Sequence, residues 1–394
     1  MAITFTKQPI GIYPAYNNSY IEFTSSLVGD NKAVINVVDV GILSIYNSNS
    51  FTIYPNVSGK YLFNLKDIIK AKFNKYGFDD LYSETPTADA MDGFGESIEG
   101  TYLQQLISIT VSNDSQTDTI NKTYYFFKGV KQFSELSDEI TFSPETQIIN
   151  SNPEILNISE NNIDFSLTYF EGFPFAFDIK RVLQNNEIVI KNLNTGVIAD
   201  TLEANSNNAF RIYVDTGTIN WNTTEFLPLT DTLNRLEIYK LDGLNNTSNK
   251  TNLNLKKYPS KCGVYLKWFN NQGGYSYWLF DEFTKYSLSA KDLKSVASNN
   301  FRNVNEGLVA PTKLIGKKGS ESVRLKSRVD ANEDKLIQSL FTSPSVQMYS
   351  SSQPYVNGKW INVEVSNKYE NSNKKLTNNV EVTIDLPDLI TPTL

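Results

Sequence analysis

The chain contains no histidine. That absence removes the Ser-His-Asp triad, the Cys-His proteases and every His-ligated metal site. It contains a single cysteine, Cys262, so neither an internal disulfide nor a thiolate zinc cluster is available. Cys262 borders an aromatic stretch and reads as a small buried apolar residue, not a reactive thiol. No apolar run approaches the ~18 residues of a membrane span. The N-terminal MAITFTKQPIGIYP lacks a positive region leading into an apolar one, so no secretory signal is expected. Excess positive charge is also missing. With 36 Lys and Arg against 43 Asp and Glu, the net charge is −7, which argues against a nucleic-acid or anionic-membrane partner.

What is present describes a folded, strand-rich protein. Hydrophobic residues make up 40% of the 394, and 22 Tyr and 23 Phe supply nearly all the aromatics, a mixture that suits strands more than helices. The most specific stretch is KCGVYLKWFNNQGGYSYWLF. Two strand-forming runs, Val264–Phe269 and Tyr275–Phe280, flank the turn Asn270-Asn271-Gln272-Gly273-Gly274. The paired glycines are expected to supply the positive φ angles of a tight reversal. Both faces of this hairpin are apolar, so something must cover each of them.

In chain order, 20–27, 34–40 and 51–54 read as strands, the second central in its sheet because both its faces are mostly apolar. Asn64 is placed as the cap of a helix over 65–73, with Lys66, Lys70 and Lys75 on its wet side. The segment 83–100 holds five acidic residues and no Lys or Arg. Its spacing does not match an EF-hand, and it reads as a mobile acidic loop. Strands follow at 106–111 and 123–130. Further short strands recur at 163–167, 175–179, 187–191, 210–214 and 236–239, the pattern of a β-sandwich. Residues 242–254 read as a polar linker or surface loop, and 285–305 as a polar segment. In 322–329 an apolar face alternates with a basic face of Arg324, Lys326 and Arg328. Asp330 and Glu333 form a capping box for a helix whose apolar stripe is Leu336, Ile337, Leu340 and Phe341. Strands at 360–365 and 380–386 close the chain. The expected fold class is mainly β. Two β-sandwich-like domains, 1–150 with one helix and 151–255, precede a β-rich α+β assembly domain, 256–394.

The ordered set Cys262, Trp268, Asn270, Gly273, Gly274, Tyr275, then the basic strand, Leu340-Phe341-Thr342-Ser343-Pro344 and a Trp-led strand resembles a family of virion tail proteins. These belong to tailed phages of Bacteroidetes hosts, including the crAss-like phages. Pro14–Tyr20 with Asn64–Ile69 adds to the resemblance, which covers roughly the first eighty and last hundred and thirty residues. It implies a viral structural protein, not an enzyme: a tail hub, ring or distal-tail subunit, assembled in the bacterial host cytoplasm and located in the virion tail. Its expected partners are copies of itself in a homo-oligomeric ring and other virion tail proteins. DNA is met only by passage through a lumen, if at all, and no cofactor, metal or catalytic residue is implied. The hairpin residues Trp268, Asn270, Gly273, Gly274, Tyr275 and Trp278 are the assembly and structural candidates, and Arg324, Lys326 and Arg328 a basic contact face. Two other classes compete. A receptor- or glycan-binding sandwich at the tail tip would use Trp221, Tyr275, Tyr277 and Trp278 to stack on sugars. A glycosidase would need paired carboxylates, and Asp281-Glu282 point to opposite faces of a strand.

Overall fold

The computed structural model describes residues 3–27, 31–39, 48–75, 77–81, 95–132, 153–157, 164–180, 182, 185–199, 202–204, 209–216, 227, 229–259, 261–297, 312–350, 359–366, 369 and 377–393. Strands dominate, and the fold class is mainly β. The chain divides into two compact units, Met1–Ser260 with Phe269–Ser276, and Lys261–Trp268 with Tyr277–Leu394.

The first unit opens with a three-stranded sheet, β1 (Ile3–Lys7), β3 (Tyr20–Ser25) and β6 (Lys60–Asn64). It is followed by a five-stranded sheet in the order β2 (Ile12–Pro14), β9 (Thr117–Phe127), β8 (Tyr102–Ser112), β4 (Lys32–Asp39), β5 (Ser48–Ile53). The two sheets share one core. Ile21, Phe23 and Tyr61 meet Ile35, Val37, Ile107 and Ile109, and α1 (Lys66–Asn74) adds Ile69 and Phe73. Each such side chain, fully buried, stabilises by roughly 1.5–3 kcal/mol. β4 is internal, as its two apolar faces predict. Asn64 caps α1 from just ahead of it: Leu65, at the N-cap position, makes no side-chain bond, while Asn64 Oδ1 accepts the backbone N–H groups of Lys66 and Ser19, each at 3.1 Å. The turn from β8 to β9 is an Asx turn in which Asn113 Oδ1 accepts the Ser115 and Gln116 amides.

A second pair of sheets follows. One runs β10 (Asp164–Phe170), β16 (Thr251–Tyr258), β15 (Leu233–Leu241), β12 (Glu187–Asn192), β13 (Leu202–Glu203). The other runs β11 (Pro174–Ile179), β14 (Ala209–Thr216), β7 (Gly95–Ile98). Here the structure departs from the sequence reading. Residues 251–254 are not linker but the start of β16, where buried Thr251, Leu253 and Leu255 alternate with wetter neighbours. Only 242–250 turns, with Asp242 Oδ1 accepting the Leu244 and Asn246 amides. The expected boundary at 255 therefore falls inside a strand. Likewise β7, taken from the segment read as a loop, pairs antiparallel with β14. Residues 83–94 of that segment, and Trp221, lie outside the described residues.

The second unit is built on a seven-stranded sheet in the order β18 (Tyr275–Phe280), β17 (Val264–Phe269), β23 (Val346–Ser350), β24 (Lys359–Val365), β25 (Thr377–Asp385), β22 (Lys317–Asp330), β19 (Phe283–Asp292). The pair β20 (Ser295–Ala297) and β21 (Thr312–Leu314) extends it. α2 (Ala331–Leu340) carries the predicted capping box: the Glu333 amide donates to Asp330 Oδ1 at 2.9 Å, and the Asp330 amide to Glu333 Oε2 at 3.0 Å. Residues 285–292 and 295–297, read as part of a polar segment, lie in strands. Cys262 is exposed, not buried; it precedes β17, before the chain enters the sheet.

Candidate functional site

Every residue of β17 and β18 is buried, so the hairpin is covered on both faces as its composition requires. Trp268 is fully enclosed and donates its indole N–H to Ser339 Oγ at 2.8 Å. Trp278 donates to Ser327 Oγ at 3.0 Å. The turn is organised by Asn270. Its Oδ1 accepts the Gln272 and Gly274 amides, and its Nδ2 donates to the Leu156 carbonyl and to Ser276 Oγ. The two glycines do different jobs. Gly273 has φ +90°, whereas Gly274 is required for close approach, since a Cβ there would stand 2.6 Å from Leu156 Cβ. The expectation that both supply positive φ is corrected accordingly.

Tyr275 joins a buried charge cluster of the first unit. Its hydroxyl donates to the Phe78 carbonyl, and its ring centroid lies 5.8 Å from the Arg211 guanidinium carbon. Burial pushes the Tyr275 phenol well above its usual value, and Asp80 adds to the effect. Arg211 is wholly buried. It grips Asp178 with Nε and Nη2 at 2.8 and 3.0 Å and reaches Asp80 with Nη1 at 3.0 Å. Nearby, Lys128 lies 5.4 Å from the ring centres of both Phe78 and Phe269, and burial lowers its pKa. The six hairpin candidates are thus internal packing groups.

The outward positions of β22 hold Arg324, Lys326 and Arg328, but their charge is partly neutralised. Arg324 and Lys326 alternate with buried Val323, Leu325 and Ser327 on β22, and both pair with Glu381 of β25, Lys326 at 3.2 Å. The Arg324 hydrogen bond holds the Glu381 carboxyl below its usual value; burial pushes upward, and Lys326 adds to the lowering. This contribution to stability is complete above the ordinary glutamate pKa, about 4.3, and is lost as the pH falls through the depressed one. Glu381→Gln is expected to lengthen salt-dependent retention on a heparin column while costing less than about 1 kcal/mol at neutral pH in urea melts. The stability gap from the wild type should close on acidification.

The feature that sequence reasoning missed is β19. All ten of its residues are exposed, and it is the edge strand of its sheet, paired only with β22 among the described residues. Tyr286 and Leu288 are 66% and 67% exposed and share one face, in line with the buried row of β22 through the Tyr286–Val323 register. The ladder continues past Asp292, through Leu293 N–H to the Gly316 carbonyl and Ile315 N–H to the Lys294 carbonyl, into β20 and β21. On the far side of β22 the C-terminal stretch adds bridges at Gly319–Leu389 and Gly316–Thr393. The result is a β-arm that runs beyond the buried row of β22, with every β19 residue exposed and one open edge. The signal was in the sequence: Thr284, Tyr286, Leu288 and Ala290 alternate with Lys285, Ser287, Ser289 and Lys291, but serines and lysines made the stretch look like a loop.

Among the described residues no cluster of His, Cys, Asp and Glu is arranged to hold a metal, and no helix is long and apolar enough to cross a membrane. No family model matches the chain, and no curated protein matches it. Among solved structures it is similar to the fibronectin(III)-like modules of Clostridium thermocellum CbhA, at 6% identity and a TM-score of 0.16, over 66% of this chain and 95% of that one. It is also similar to zebrafish RET cadherin-like domains 1 to 4, at 8% identity and a TM-score of 0.13, over 75% and 62%. Scores this low carry no argument about function.

Proposed function

We propose that the chain is a structural subunit of a phage tail, assembled as a ring from copies of itself and joined to other tail proteins. The motif order set out above suggests the class; the observation that carries the reading is the exposed arm. A two- or three-stranded ribbon is marginal on its own, and an open edge of about 30 Å is a template for another strand. Lys285 and Lys291 along that edge discourage indiscriminate pairing. They also select the partner by charge. Residues 283–321 carry seven Lys and Arg against three Asp and Glu, a net +4 within a chain of −7, so the remainder carries −11. A second copy therefore offers an acidic body to a basic arm. Repeated head-to-tail, such a contact closes into a ring when the rotation permits.

Mass photometry of the purified protein at micromolar concentration should show one closed multi-subunit species. Leu288→Glu, which changes only an exposed side chain, should shift the protein to monomer with its melting temperature unchanged. A wild-type monomer that binds no tail protein of its phage, or a virion lacking this chain by mass spectrometry, would overturn the reading.

A further inference from the structure

A cleft of about 550 Å³ lies at one end of the sheet β2–β9–β8–β4–β5, lined by Asn31, Lys32, Tyr54, Pro55, Ser112 and turn residues including Asp114. Its position follows from the register. Lys32 pairs with Ser112 and Ala33 pairs with Ile53, so the start of β4 and the ends of β8 and β5 meet there, with the Asx turn beside them. Three properties set it apart from an ordinary surface dent. Tyr54 is 70% exposed, an aromatic ring standing in water beside a proline instead of packing inward. Asn31 donates through Nδ2 to the Leu27 carbonyl at 2.7 Å, but its Oδ1 is out of solvent with no hydrogen-bond donor. Such an orphaned acceptor costs about 1–3 kcal/mol, and a shift of the Asn31 amide toward the cleft on binding would let a ligand hydroxyl relieve it. Finally, Lys32 and Asp114 bring one charge of each sign, both exposed.

We infer that this cleft is a carbohydrate-binding site, with Tyr54 as the stacking platform and Asn31, Lys32, Ser112 and Asp114 as the hydrogen-bonding fringe. The ligand class follows by elimination. A phosphate or other anion calls for net positive charge, which Asp114 cancels. A lipid or drug-like apolar ligand calls for enclosed apolar walls, and here the lining is amide, hydroxyl and charge around a single ring. A neutral sugar matches both parts. Its axial C–H face lies on the aromatic ring, and its hydroxyls, each donor and acceptor, meet a fringe of mixed polarity. The cleft replaces the aromatic set that the sequence suggested for sugars, because Tyr275, Tyr277 and Trp278 are buried. The inference is independent of the ring proposal, since none of its residues lies in the arm.

Saturation-transfer difference NMR with maltotriose, chitotriose and mannotriose tests it on the full chain. At least one should receive magnetisation on its ring protons. Tyr54→Ala should weaken that binding at least tenfold, and Tyr54→Trp should retain it. Tyr54 is exposed, so circular dichroism of the alanine variant should match the wild type. No transfer to any of the three sugars, or transfer that survives Tyr54→Ala undiminished, overturns the assignment.

Discussion

Trp268→Ala is expected to destabilise the protein by about 3–5 kcal/mol, the range for removing a fully buried large aromatic side chain. Against a total stability of roughly 5–15 kcal/mol for a domain, that is enough to make much of the expressed protein insoluble. The loss has two parts. Trp268 is the largest fully buried side chain among the described residues, so its removal leaves a cavity among Leu266, Val346 and their neighbours on the sheet. It also deletes an indole donor from Ser339 of α2. Trp268→Phe separates the two, retaining most of the volume without the N–H, and should cost about 1–3 kcal/mol. Urea denaturation followed by intrinsic fluorescence measures both, and an alanine variant with a wild-type midpoint would refute the packing role. Gly273→Ala probes the turn of the same hairpin by a different mechanism. With φ at +90° and a new Cβ 2.4 Å from the Lys128 carbonyl oxygen, backbone has to move, and refolding should fail even though only one methyl group is added.

The elements legible in the sequence were those where one physical cause acts alone. The hairpin bounds were given by its aromatic runs and its Asn270–Gly274 turn, because few residues other than glycine accommodate the positive φ of Gly273. The capping box of α2 was readable because Asp330 and Glu333 satisfy each other's amides locally. The misreadings share a cause too. β16 and β19 are strands whose outward positions hold Asn, Lys and Ser, residues that in isolation favour turns, so the alternation beneath them was overlooked. Cys262 was assigned to the core by residue type, although its place ahead of β17 leaves it exposed. The cleft at Tyr54 was illegible for another reason. It joins residues about 80 positions apart through the β4–β8 register, and nothing local to Asn31 or Asp114 announces that they meet.

The second large effect is expected at Arg211. Its guanidinium is fully buried between Asp178 and Asp80, whose side chains are each only 3% exposed. Desolvating three charges is costly, and the fork of hydrogen bonds to Asp178 with the further bond to Asp80 is what offsets it. Arg211→Met keeps the length and apolar bulk of the stem but leaves two buried carboxylates without that cation. The predicted loss is about 3–5 kcal/mol. Combining it with Asp178→Asn and Asp80→Asn removes the stranded charges, and the triple variant should be more stable than the single one. Additive losses, each substitution simply adding its own cost, would show instead that the three groups do not act as a unit. The result bears on the turn as well, because the Arg211 guanidinium lies against the Tyr275 ring. The same cluster that holds β11 to β14 through Asp178 and Arg211 thereby sets the position of the first residue after Gly274. Near-ultraviolet circular dichroism from Tyr275 should accordingly weaken in Arg211→Met and recover in part when the two carboxylates are neutralised.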